Sequence, residues 1–232
     1  MELFVPDKQG TSATRRLIDR KSLDEDLADR LRDAILRGDL KPGERLTELG
    51  LAETWQVSQG TVRAALKLLS AEGLVESRPR RGTFVTSITE TALHEICSLR
   101  DALEGLAAQR AAARIDDAAR KALMDVLDGM RQAAAKGDRK GMLDLDFRFH
   151  RTVVAISDHK RLADVHAALE SQTRLFLTMT ELLHQSLEEA VTVHATLAEA
   201  IMAGNESRAF DLAHDHSSRD GRELAAALFP AG

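Results

Sequence analysis

Aromatic side chains make up only 3% of this 232-residue sequence, and cysteine occurs once, as Cys97. A chain this short of aromatics and rich in leucine and alanine favours helices over a β-sandwich or barrel. A lone cysteine excludes an internal disulfide and fits a reducing, cytoplasmic setting. No apolar run approaches the roughly 20 residues that a membrane-spanning helix needs, so no membrane association is expected. The stretch Met1 to Arg20 lacks an apolar h-region, and no signal peptide is read there. Hydrophobic residues at 44% exclude a disordered chain, and the length suffices for two domains, each with its own core.

Basic charge is also in deficit overall, with a net charge of −5. The deficit is uneven: residues 1–87 hold 15 Lys/Arg against 14 Asp/Glu, and residues 88–232 hold 17 against 23. Within 59–85, Arg63, Lys67, Arg78, Arg80 and Arg81 face only Glu72 and Glu76. A local basic face on an acidic protein suits phosphate contacts without indiscriminate binding to polyanions; a solvated charged surface is the plainer reading.

What is present is organised around Arg45–Val85. Thr47 is placed to cap a short helix and Ser58 a longer one, in which Val62, Ala65, Leu66 and Leu69 recur at helical spacing. Gly73 stops that helix, and the runs Leu74-Val75 and Thr83-Phe84-Val85 flank a basic tip, Arg78-Pro79-Arg80-Arg81-Gly82. This pattern predicts a winged helix-turn-helix, whose second helix can enter a DNA major groove. Before it, residues 1–21 read as a mobile arm, and Ser22 caps a helix with the stripe Leu23, Leu27, Leu31 and Ile35. Residues 22–87 form the expected DNA-binding domain, and a polar connector, Thr86 to Glu90, leads into a second domain at 88–232.

That second domain reads as helical throughout, with helices expected near 91–113, 117–135, 139–157, 160–183, 187–203 and 206–229. On the first, Leu93, Ile96, Leu99, Leu103 and Leu106 are assigned to the inner face. Short connections between amphipathic helices make an antiparallel six-helix bundle. The fold class is therefore mainly α, a winged helix-turn-helix followed by that bundle.

Asp146 and His150 stand at i and i+4 on one helix and so share a face. His194 and His216 flank the turn Gly204-Asn205 almost symmetrically, each about 15 Å up its own helix at 1.5 Å per residue. An antiparallel pair would bring both imidazoles to one level, and three imidazoles with one carboxylate suit a divalent transition metal, zinc, nickel or another. Hairpin geometry alone does not separate His216 from His214. His94, His159, His166 and His184 are assigned ordinary capping or solvated roles.

Leu31-Arg32-Asp33-Ala34-Ile35, Pro42-Gly43, Val57-Ser58, Val62-Arg63, Ala65-Leu66, Glu72-Gly73-Leu74-Val75 and Arg81-Gly82 together resemble the DNA-binding domain of the GntR family of bacterial transcription regulators. Leu99-Arg100 with Leu103-Glu104, and Asp146 with Phe149-His150, resemble the FCD effector domain of its FadR-like subfamily. Six helices place it nearest the VanR-like branch. The resemblance implies Asp146, His150, His194 and His216 as metal ligands, choosing His216 over His214. It implies DNA contacts from Ser58, Gln59, Gly60, Thr61, Arg63, Arg81 and Gly82, to which charge adds Arg80. It places Arg100 near an effector cavity, where a salt bridge to Glu104 is the competing role.

The departures bear on specificity. Where the family usually has arginine, a variable residue and proline after the serine, this chain has Gln59-Gly60-Thr61. Glutamine suits adenine N6/N7, whereas arginine reads guanine. The family's usual glycine before Val57 is Gln56, at a position suited to positive φ. The resemblance implies a homodimeric repressor on a pseudo-palindromic double-stranded operator, relieved by a small carboxylate effector, and not an enzyme. A regulator in which the metal itself is the signal, and a metal-dependent hydrolase, are the alternatives.

Overall fold

The helix α1, Leu23–Leu36, opens with the Ser22 amide donating to Glu25 Oε2 at 2.9 Å, which satisfies one of the donors a helix start leaves orphaned. The structure is a computed structural model and describes residues 21–87, 89–180 and 186–229; the expected arm at 1–21, apart from Lys21, and His184 lie outside the described residues. α1 buries Leu27, Leu31 and Ile35, while Leu23, assigned to the same stripe, stays exposed at the helix start. Thr47 caps α2, Glu48–Trp55, by accepting from the Gly50 amide at 3.2 Å. Ser58 caps α3, Gln59–Ala71, whose Val62, Ala65, Leu66 and Leu69 turn inward onto α1. Each fully buried leucine or valine there contributes about 1.5–3 kcal/mol relative to exposure.

The wing is a hairpin, β2 at Val75–Arg78 and β3 at Gly82–Val85, with Ser77 opposite Thr83. A further strand absent from the sequence reading, β1 at Arg45–Leu46, pairs antiparallel with β3 and makes the order β1-β3-β2. Two residues are too few for any periodicity to show. The pairing comes from the chain's return after the Pro42-Gly43 turn, where Gly43 donates to the Val85 carbonyl at 3.0 Å.

Gln56 ends α2 in the left-handed region, at φ 52° and ψ 47°. A side chain costs about 1–2 kcal/mol there, partly offset by the extra freedom glycine would have in the unfolded chain. Gln56→Gly is therefore expected to stabilise the protein by roughly 0.5–1 kcal/mol, visible as a rise of a few degrees in Tm. A lower melting temperature would show that the Gln56 side chain makes a contact outweighing its backbone strain.

Beyond the connector, six helices follow among the described residues: α4 Glu90–Ala112, α5 Asp117–Lys136, α6 Arg139–Ile156, α7 Lys160–Thr180, α8 Leu187–Met202 and α9 Glu206–Leu228. Their ends follow the expected signals. Gly137 and Gly204 take positive φ, and the Asn205 side chain accepts from the Arg208 amide at 3.1 Å to start α9. α4 runs along α9, and the core gathers Leu123, Leu127, Met130, Met142, Phe149 and Leu197.

The inner face of α4 differs from the expectation in one respect. Leu99 is 51% exposed, and the buried stripe runs through Leu93, Cys97, Arg100, Glu104, Ala107, Ala108 and Ala111. The helix is thus rotated so that an arginine and a glutamate, paired with each other, take inner positions that leucine would ordinarily claim.

The bundle also touches the head. Leu175 of α7 is 2% exposed and belongs to the core formed by α1, α3 and the wing. Beside it, Ser171 Oγ donates to Glu72 Oε2 at 3.3 Å and Gln172 Nε2 to the Glu72 carbonyl at 3.4 Å. Glu72 is itself held by Arg32, through Nε at 2.7 Å and Nη2 at 2.6 Å. A Cβ at Gly73 would collide with the Gln172 side chain, so glycine there allows the close approach as well as the helix stop.

Candidate metal centre and nucleic-acid interface

α6 presents Asp146 and His150 from one face, while the turn at Gly204-Asn205 folds α9 back along α8. His194 and His216 consequently meet with ring centroids 4.8 Å apart, and His150 lies 5.4 Å from each. One ligand atom from each of Asp146, His150, His194 and His216 falls within 4.8 Å of the others, and all four residues are buried. His214 points away: its side chain is 44% exposed and stacks on Phe210.

Neighbouring groups fix which nitrogen faces inward. His194 Nδ1 lies 2.8 Å from the Ala190 carbonyl, which can only accept, so Nδ1 carries the proton and Nε2 the lone pair. That lone pair lies 3.0 Å from Asp146 Oδ1, an arrangement that repels unless a proton or a cation comes between. His150 Nδ1 sits 3.1 Å from Glu104 Oε2 and donates to it, leaving a buried Nε2 without a hydrogen-bond partner among the described residues. A carbonyl or carboxylate behind a histidine is the support that metal-ligating imidazoles have. The residues therefore fit a divalent ion: at about 2.0–2.2 Å per ligand bond, donor spacings of roughly 3–4.3 Å are required, close to those present.

Electrostatics agree with this. Burial works against ionising Glu104, yet Arg100, then His150 and His166, hold its carboxyl well below the usual range. For His150 burial pushes the pKa down, but Glu104 outweighs it and the net shift is upward, so a proton competes for the same inward nitrogen. Burial, then His194 and His150, push His216 well below its ordinary value and keep it a neutral donor.

Next to the cluster, Arg100, Glu104, Phe147, His150, His166 and Glu170 line a small cavity of about 10 Å³. Arg100 reaches Glu104 Oε1 through Nε at 3.0 Å and Nη2 at 2.8 Å, the i, i+4 salt bridge weighed for it. Glu104 and His166 received no functional role from the sequence. The i, i+4 relation of Glu104 to Arg100 was a usable signal, whereas nothing along the chain ties His166 to α4.

On the head, Ser58 Oγ accepts from the Thr61 amide at 3.0 Å and lies 2.9 Å from Thr61 Oγ1, so both hydroxyls serve the start of α3. Gln59 and Gly60 are exposed beside them. Arg63 is exposed and held by Glu48, Nε to Oε1 at 2.9 Å and Nη2 to Oε2 at 2.6 Å. At the wing tip the Arg81 amide donates to the Arg78 carbonyl at 3.0 Å, closing a turn with Arg80 at φ 62° and followed by Gly82 at φ 105°. Arg78 is tied back, 2.5 Å from Glu76 and over the Phe84 ring at 4.5 Å, while Arg80 and Arg81 stand exposed.

A winged helix-turn-helix with a basic tip, joined to a helical bundle with a buried histidine-carboxylate cluster, points to a DNA-binding protein with a second, helical domain. Comparison with known proteins makes the class specific: residues 23–85 match the bacterial regulatory proteins of the gntR family, and residues 95–219 match the FCD domain. The chain belongs to the GntR family of bacterial transcriptional regulators, with an FCD domain as its second part, and it is a DNA-binding regulator rather than an enzyme. A relative from Paenarthrobacter nicotinovorans, described as "Probable D-xylose utilization operon transcriptional repressor", is 30% identical over 193 residues, covering 83% of this chain and 84% of that one. A GntR regulator from Rhodococcus sp. RHA1 superposes with a TM-score of 0.73 at 25% identity, covering 89% of this chain and 99% of that one. E. coli McbR/YncC shares the fold, with a TM-score of 0.74 at 23% identity and coverage of 88% and 98%. No helix among the described residues is long and apolar enough to cross a membrane.

Proposed function

We propose that the protein is a cytoplasmic repressor that binds a pseudo-palindromic operator as a homodimer and releases it when a small organic acid enters the bundle. The observation that carries this reading is the buried convergence of Asp146, His150, His194 and His216, in a bundle whose α7 also packs against the DNA-binding head. A dimer sets two recognition helices one helical turn apart, so two modest half-site contacts combine through high effective concentration. Gln59, Gly60 and Arg63 on α3, and Arg80, Arg81 and Gly82 on the wing, form the DNA-facing surface, with Ser58 and Thr61 shaping its start.

Asp146, His150, His194 and His216 would hold the ion, zinc or nickel suiting the set, and a bound ion supplies an electrophilic anchor for a carboxylate. Ala190 and Glu104 orient two of the imidazoles toward it, and the surrounding core excludes water. α7 carries His166 and Glu170 at the cavity and Ser171, Gln172 and Leu175 at the head. A shift in one stretch of this helix is felt in the other, and the ligand weakens DNA binding by its differential affinity for the two arrangements.

The test is operator affinity by fluorescence anisotropy, with metal-stripped and zinc-loaded protein, each with and without citrate. Citrate is expected to weaken the zinc-loaded complex by about 5–150-fold, the usual size of such couplings, and to leave the stripped protein unaffected. If zinc alone switches binding and citrate, acetate and malonate change nothing, the metal is the signal. Operator affinity indifferent to both would reject the sensing role of the bundle.

A further inference from the structure

The cavity beside the cluster has about 10 Å³, room for roughly one water, and no carboxylic acid fits without something leaving. The group best placed to leave is already a carboxylate. Glu104 is 2% exposed, with Oε1 receiving Arg100 at 3.0 and 2.8 Å and lying 3.6 Å from His166 Nε2, while Oε2 receives His150 Nδ1 at 3.1 Å. Its two oxygens thus meet Arg100 of α4 and His150 of α6 at hydrogen-bond distance and His166 of α7 just beyond it. The other acid lining the cavity, Glu170, is anchored by different partners, Arg151 at 3.1 Å and Arg174 at 3.5 Å, and Arg174 also lies over the Phe147 ring at 4.1 Å.

We propose that Glu104 is a built-in carboxylate latch, which fills the anion site of Arg100, His150 and His166 in the ligand-free protein and is displaced by the carboxylate of an incoming small acid. The inference rests on reading the bundle as the carboxylate-sensing part, and adds the competition that sets its threshold. An incoming carboxylate presents the same two oxygens to the same donors, so hydrogen bonds are exchanged rather than lost, and the gain comes from the rest of the ligand. Because the latch also lies against His166, its departure frees a point on α7 about one and a half turns before Ser171 and Gln172. Glu104, which lines the cavity, meets His150 at Nδ1, away from the inward Nε2. An acid long enough to pass the ring, with a second carboxylate or hydroxyl, therefore reaches both the arginine and the cluster.

The experiment is calorimetric titration of zinc-loaded wild type, Glu104→Gln, Glu104→Asp and Glu170→Gln with acetate and with malonate, with metal content measured on each sample. The amide introduced by Glu104→Gln keeps an acceptor for Arg100 but no longer competes as an anion, so carboxylate affinity is expected to rise tenfold or more. Glu104→Asp retains the charge with a shorter reach and should show a smaller rise, and Glu170→Gln should change affinity less than threefold. Equal gains from Glu104→Gln and Glu170→Gln would reduce the effect to local charge and overturn the latch. So would wild-type binding of malonate that Glu104→Gln, at equal metal content, does not improve; the carboxylate-sensing reading would then stand. Absence of acetate and malonate binding in all four proteins would overturn both. If Glu104→Gln loses zinc, Glu104→Asp decides: affinity unchanged from wild type rejects the latch, and a rise supports it.

Discussion

His194→Ala is expected to purify without the one divalent ion per chain proposed for the wild type, with metal affinity reduced by more than about 100-fold. Loss of a supporting partner behind a ligand costs 10–100-fold, and removal of a ligand exceeds that. His194 is chosen because its ring is fully buried and its inward nitrogen is fixed by the Ala190 carbonyl, leaving it no alternative orientation. A ligand that binds only the folded protein adds about 4 kcal/mol when present at 1,000 times its Kd. A chelator should therefore lower the melting temperature of the wild type sharply and leave that of His194→Ala unchanged. His214→Ala serves as the control and should keep its metal, since that side chain lies outside the cluster. Elemental analysis finding the ion retained in His194→Ala, or absent from carefully prepared wild type, would reject the assignment.

Arg63→Ala is expected to have the next largest effect, on the operator. A well-placed bidentate base contact discriminates by roughly five- to 150-fold, and the proposed homodimer would make it twice. Glu48 of α2 holds the exposed Arg63 guanidinium through two hydrogen bonds, which would present the arginine to DNA already oriented; exposed pairs of this kind contribute little to folding. The melting temperature should hardly move while operator affinity collapses. Gln59→Arg should act differently, leaving overall affinity near wild type and changing the preferred base at one position per half-site. A binding-site selection returning the same consensus for Gln59→Arg and wild type would remove Gln59 from direct readout.

Most of the helical frame was legible because its signals are local. Ser58, Gly137 and Gly204-Asn205 announce their boundaries by capping chemistry, and the structure places helix ends within a few residues of those positions. The i, i+4 pair Asp146 and His150, and the symmetric placement of His194 and His216, were legible for the same reason: helix rise and hairpin symmetry convert sequence distance into level. Leu99 was not, because a leucine-rich helix offers more than one apolar stripe, and the inner one was decided by the Arg100–Glu104 pair meeting His150 and His166 from other helices. β1 and the hold of α7 on Glu72 escaped for a related reason, since each depends on a partner far along the chain.

The head completes its interior with Leu175, a residue made only after most of the bundle has been synthesised. A chain emerging from the ribosome therefore presents the operator-reading helix before its core is closed, and the last leucine arrives with the sensor. Removing a buried leucine costs about 2–5 kcal/mol, a large share of the stability of a domain this small. The stability of the head therefore depends on a residue of the bundle, and a chain truncated before Leu175 is expected to carry a less stable head even though Ser58 to Gly82 are all retained.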